Sequence, residues 1–594
     1  VQAGETQTVA ATTALKALNI AEGGALAAPE GKLLTLTVDG VERRIEPGEY
    51  KGAIVLSVTD DFPEIVDTYD IGNYRGALYV DENGIDANRS AVAALQGGSY
   101  DAKKIDGVTI HSENDGFTGM VFTAGEHEID NTTIELNGCG CNDFAGNGAG
   151  IVATGTSKVH VKNLSVKNRG VIRGAILAAD NGEITVEDST IECNGYTQEE
   201  HDAVTNSIES MNGVPWMLGL YGNNRATNVV GSGTATYINS TIKAEQWGAL
   251  STDGTDSPKA FGETSLHLNT KDCKVEITGA SGYGSYSIGA ACNTFDHTSF
   301  KVPDYALICA NEYAAGRFIN GSDVKSGRFG VMWHQNQGGV LEVSDSKIET
   351  GLTTFLVKGC YPDIRVNRSQ IDSGNGVILQ MIDLDDPGPG VPEFVTDQGV
   401  PEKDPTHSVT GPNFADITIF SFPVKQYCTD LKATFTDMTL RGDFYNGTTN
   451  ACPVGMVIPE GATAMEASHG DEKPMNSSCA PINMILTLQK VDLTGRISAT
   501  TVKHDAATIT SDNRQALGMV QNTVSPVVNN GVIVSLDGES VWTVTGESHL
   551  SALTLAEGAV VCAPEGKKLT VTVDGTPTTL TAGSYTGAIT LMVE

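Results

Sequence analysis

Basic residues are scarce in this chain. Lys and Arg number 38 against 73 Asp and Glu, which leaves a formal charge of −35 over 594 residues. A field of that sign repels nucleic acid, anionic membrane and polyanionic glycans, so a neutral, aromatic or cationic partner is expected. Calcium bridging carboxylates, as a structural ion, is the one cofactor this composition leaves open; no other is expected. No apolar run reaches the roughly 20 residues that a membrane-crossing helix needs, so no span is expected. A disulfide framework is missing too: eleven cysteines, an odd number without regular spacing, read as mostly buried thiols. The one close pair, Cys139 and Cys141, lacks a second ligand pair, and no metal site is expected there. The sequence opens at Val1 without a charged-then-apolar leader, which reads as the mature or trimmed form of a secreted or cell-surface protein.

Long helix-period stretches are also few. In their place stand 67 glycines and many Thr, Val, Ile and Asn residues, the composition of strands joined by tight turns. A polar-small-x-aliphatic signature recurs in "NTTIEL", "NLSVKN", "DSTIEC", "NSTIKA", "DSKIET" and "RSQIDS". Its aliphatic anchors are Ile134, Val166, Ile191, Ile242, Ile348 and Ile371, with Val275, Phe300 and Val324 filling the same place between. From Val275 onward the step is about 24 residues. Ile110 extends the series upstream and Leu440 is expected to continue it. A short-strand repeat of that length cannot bury its apolar side alone and must stack on copies of itself. Propeller blades would need longer repeats, nearer 40 to 50 residues, and Trp-Asp or kelch marks that are absent.

With this repeat the sequence resembles the right-handed parallel β-helix proteins of the pectate-lyase-like superfamily, over roughly residues 100–545. The resemblance implies an all-β solenoid and its handedness. It does not choose an activity, because that superfamily holds lyases, hydrolases, esterases, epimerases and adhesins. No Gly-His-Gly of polygalacturonases, no Arg-x-Pro-x-x-Arg of pectate lyases and no pectin-esterase signature occurs. The Asp385-Asp386 pair reads as part of a Pro-rich loop.

Three regions are expected: a β module over 1–60, the solenoid over 61–545 and a second β module over 546–594. Insertions interrupt the solenoid near 194–215, 384–412 and 446–480. The end modules match without a gap from Ala17 and from Ala552, identical at 23 of 42 positions. They read as caps over the open ends of a solenoid, or else as attachment modules.

Counting eight residues from the anchors gives Leu250, Ile308, Met332, Leu356 and Leu379, a column of large aliphatics expected to stack inside. Strand alternation then turns its neighbours outward. A polar and aromatic ridge is predicted: Trp247, Tyr221, Asn223, Arg225, Asp253, Asn311, Glu312, Trp333, His334, Gln335, Lys358, Tyr361, Gln380 and Asp383, with Arg173 at one end. Several have plainer readings, as turn or ladder asparagines and aspartates or a structural histidine.

Two chemistries suit this ridge. Asp253 and Glu312 on neighbouring rungs form an acid and base for cleavage of a neutral glycan or glycoside by a hydrolase or lyase. Alternatively, His334 acts as acid/base with Lys358 or Arg225 steadying an oxyanion, as in a small-molecule isomerase or hydro-lyase. Trp247 and Trp333 would stack on a sugar face or an aromatic ring. A non-catalytic adhesin is the third reading. An open cleft is expected of a glycan enzyme, and a closed pocket under inserted loops of a small-molecule enzyme. The oligomeric state is not encoded in any of these patterns.

Overall fold

The computed structural model describes the whole chain except residues 63–73, 205–211, 255–265, 313, 338, 386–392, 396–429, 449–482 and 529. Most rungs up to Ser373 contribute three strands, and equivalent strands of successive rungs pair in parallel to give three stacks. The fold is an all-β parallel β-helix. In the first stack, Ile110, Ile134, Val166, Ile191, Ile242, Val275, Phe300, Val324, Ile348 and Ile371 lie in direct register. All are buried. Leu440 is buried as well, but it pairs with Leu493 on a longer strand rather than with Ile371.

The signature before each anchor has a backbone cause. Asn131, Asn163, Asp188, Asn239, Asp272 and Asp345, three residues ahead of their anchors, have φ between 46° and 55°, the left-handed region that Asn and Asp tolerate best after Gly. The small polar residue that follows links rungs. Ser189 Oγ accepts from Leu164 N at 3.0 Å, and Ser240, Ser322 and Ser369 accept in the same way from Ser189, Thr298 and Ser346 at 3.1 Å.

The stack that carries the predicted ridge corrects its register. Leu250, Ser285, Leu307, Val331, Phe355 and Leu379 pair in sequence and face the interior. From Ile242 the interior position is the eighth residue, but from Phe300, Val324 and Ile348 it is the seventh. One residue fewer in the intervening turn sends every following side chain of the strand to the other face. Leu250 and Leu379 are therefore inside as expected. Ile308, Met332 and Leu356 are outside the solenoid, and Trp333, expected outside, is fully buried in the interior with Cys309, Val357 and Met381.

The outward residues are nonetheless dry. Ile308, Met332 and Leu356 form a second apolar cluster with Trp247, Tyr283, Tyr305 and Phe329. An excursion of the chain covers it: Ile497–His504 continues the stack, and Val520–Val524 returns antiparallel to it. Val502, Met519 and Val520 pack on the cluster, while Arg514 Nη1 donates to Leu220 O at 3.1 Å. The expected insertion near 194–215 begins with a short helix, Gln198–Ala203, capped by Thr197 and Glu200. The other two expected insertions lie mostly outside the described residues.

Both end modules fold alike. Tyr50 and Tyr585 each donate back across their hairpin, to Glu46 O at 2.8 Å and Thr581 O at 3.0 Å. Asp39 and Asp574, in left-handed turns, accept from Ala53 N and Ala588 N, each at 2.8 Å.

Candidate functional site

The outer face of the ridge stack carries a chain of buried polar groups beneath the excursion. His334 and Lys358 occupy the same position on adjacent rungs, which places their backbones about 4.8 Å apart. Neither is exposed beyond 2%. Lys358 Nζ lies 2.7 Å from Asp385 Oδ1, and His504 Nε2 lies 3.1 Å from Asp385 Oδ2. Gly518 N also donates to Asp385 Oδ2, at 2.7 Å. Three distant segments thus meet at one carboxylate. Burial alone would raise the pKa of Asp385, but Lys358 and His504 outweigh it and hold the carboxyl well below its ordinary range.

On the adjacent rung, His334 contacts a residue nearer solvent, Tyr286. Its Nε2 is 3.4 Å from the Tyr286 hydroxyl, and the two rings lie nearly parallel with centroids 6.3 Å apart. Tyr286 and Ile288 are half-buried, whereas Tyr283 and Ser251 beside them are fully covered and share a 2.9 Å hydrogen bond. Tyr286 is therefore the polar ring of this face that reaches solvent while touching the buried imidazole.

A second constellation sits several rungs away. Arg225 donates from Nε to Asp143 at 2.5 Å and from Nη1 to Asp253 at 2.7 Å. Phe144 and Trp247 stand over its guanidinium at 4.6 and 5.3 Å. Burial raises the pKa of Asp253, with Arg225 opposing and Asp143 reinforcing the shift. The carboxylates raise that of Arg225 against its own burial. Asp253 is thus an ion-pair partner in a covered cluster, and Trp247 packs on Arg225 instead of offering a stacking face.

The remaining predicted residues divide. Arg173 is fully buried and holds the backbone oxygens of Cys139 and Asn114 at 3.3 and 3.2 Å, its pKa pushed down to about 10 by burial. Asn223 bonds the backbone of Tyr196 in both directions, the plain ladder role. Tyr221 is half-buried, donating to Asp512 O at 2.6 Å with Arg514 over its ring at 4.3 Å. Gln380 is buried and accepts from Asn522 Nδ2 at 2.6 Å. Tyr361 packs against the interior core, and Asp383 is half-buried just before Asp385. The side chains of Asn311, Glu312 and Gln335 lie outside the described residues.

Asp385, His504 and Tyr286 are absent from the predicted ridge. Asp385 reads as a loop residue, and nothing in the spacing links it to His504, 119 positions later. Tyr286 was legible in principle, because it pairs with Ile308 once the one-residue correction is made. Among the described residues no group of three or more His, Cys, Asp or Glu side chains is arranged to hold a metal ion. Comparison with family models, with curated proteins and with solved structures finds no match.

Proposed function

We propose that this chain is a proton-transfer enzyme, an isomerase or hydro-lyase acting on a small uncharged or aromatic molecule, exported to the cell surface or beyond. The observation that carries this reading is the buried Lys358–Asp385–His504 array one rung from His334, which reaches Tyr286 at the margin of the excursion. Covered acid and base groups of alternating charge suit a reaction that moves a proton within a dry site. Tyr286 and His334 would exchange the proton with substrate. Lys358 would supply positive charge toward an enolate-like oxygen, held in place by Asp385. A formal charge of −35 favours an uncharged substrate.

The glycan reading draws less support. Trp247 and Trp333, its stacking platforms, are both buried, and Asp253 is engaged by Arg225. A screen of small phenolics, unsaturated carbonyl compounds and neutral glycosides in D2O tests the proposal. Turnover with deuterium entering a carbon of the product is the expected result. Glycoside cleavage without carbon deuteration would favour the hydrolase, and no turnover on any class would favour a surface-binding role.

A further inference from the structure

The duplicated modules are attached to the solenoid by different edges. In the C-terminal copy the leading edge is used: Val541–Val544 pairs with Asp492–Gly495, and Ser548–Leu555 pairs with Val532–Leu536. Its Trp542, Leu550 and Leu553 are fully buried by those rungs. In the N-terminal copy the same strands exist with the same internal pairings. Thr6, Gln7 and Thr8 pair with Ala25, Leu26 and Ala27, just as Val541, Trp542 and Thr543 pair with Val560, Val561 and Cys562. Even the approach to the module is reproduced, since Ala21 N donates to Val1 O at 3.0 Å and Ala556 N to Leu536 O at 3.0 Å.

Among the described residues, however, no strand covers that leading edge in the N-terminal copy. Thr6–Thr8 pairs only with Ala25–Ala27, and Thr13–Ile20 only with Gly48–Thr59. Gln7 is exposed, and Leu15 and Leu18 are half-exposed where Leu550 and Leu553 are buried. This copy instead holds its solenoid by the trailing edge. Val41–Arg43 pairs in parallel with Thr109–Ser112. Buried Glu42 receives Ser112 Oγ at 2.7 Å, Asn114 Nδ2 at 3.0 Å and Arg75 Nη1 at 3.0 Å. Its backbone oxygen also accepts from Glu113 N at 2.9 Å.

The C-terminal copy closes that trailing edge. Pro577 stands in the place of Glu42, with no N–H to offer a following strand and no carboxylate to anchor one. One copy thus has two edges able to pair, the trailing one taken by its own solenoid, and the other copy has one.

We propose that the N-terminal module is a two-sided joint whose free leading edge, Thr6–Thr8 and Thr13–Ile20, receives the last rung of another parallel β-helix, in the register in which the C-terminal module receives this one. A second copy of this chain does not fit that role, because its own last rung is already covered by Ser548–Leu555. The partner is a β-helix whose final rung is bare.

The test is a transplant within the full chain, in which residues 1–59 replace residues 536–594, made with and without Gln7→Trp to restore the indole that Trp542 provides. If the edge is competent, at least one of the two chimaeras melts within about 5 °C of the parent, a shift that corresponds to a small loss of stability. If both melt further below it or fail to fold, the edge is not a solenoid-binding surface. Sedimentation of the unaltered protein should give a monomer. A dimer abolished by Leu18→Lys would overturn the assigned partner in favour of a second copy.

Discussion

A lysine with no exposed surface is tolerated only where its charge is answered. Lys358 is answered by Asp385, and Asp385 in turn by His504 and the Gly518 amide. Removing Lys358 takes away the nearest countercharge of the buried Asp385 carboxylate, so Lys358→Met should cost about 3 to 5 kcal/mol, while adding Asp385→Asn should recover much of the loss. Urea unfolding of the two single variants and the double variant checks this. The same pair fixes an acid response. Because the folded-state pKa of Asp385 is depressed below its ordinary 3.8, its stabilising contribution is complete above that value and is lost as the pH falls beneath it. Melting temperature should drop below about pH 4, and less steeply in the double variant.

At the scale of elements, the decisive feature is one turn. A residue fewer between anchor and strand after Phe300, Val324 and Ile348 puts Trp333 inside and His334 outside, where an even count would have reversed them. The repeat, the anchors and the matching ends were legible because each recurs with the same backbone demand: a left-handed Asn or Asp, a hydroxyl, an inward aliphatic. The turn lengths were not, since a bare count cannot distinguish a seven-residue from an eight-residue path between two apolar residues when both Met332 and Val331 are buried. Trp333→Ala should consequently behave as a core truncation, costing about 3 to 5 kcal/mol rather than weakening a ligand alone. The excursion has its own weak point at Gly518, with φ at +77° and a would-be Cβ 2.6 Å from Leu356 Cδ2. Gly518→Ala should destabilise by about 1 to 3 kcal/mol through backbone strain and overpacking. Hydrogen exchange should localise that loss to Ile497–His504 and Val520–Val524.

At the scale of the whole molecule, a solenoid places residues by rung number, so neighbours in sequence repeat are neighbours in space. That is why His334 and Lys358 were found together from spacing alone. Loops escape this rule. Asp385 and His504 reach the same point from a loop and from a later rung's excursion, and only the folded chain joins them. The charge of −35 acts over the entire length and bears on which ligands approach, not on where they react. The proposed proton transfer beneath the excursion runs through His334. It is tested by kcat/KM of His334→Gln beside its melting temperature, on the first substrate that the wild-type protein turns over. The expected result is a fall of at least about a hundredfold with the melting temperature nearly unchanged; activity within about threefold of wild type would contradict a role for His334 in the transfer.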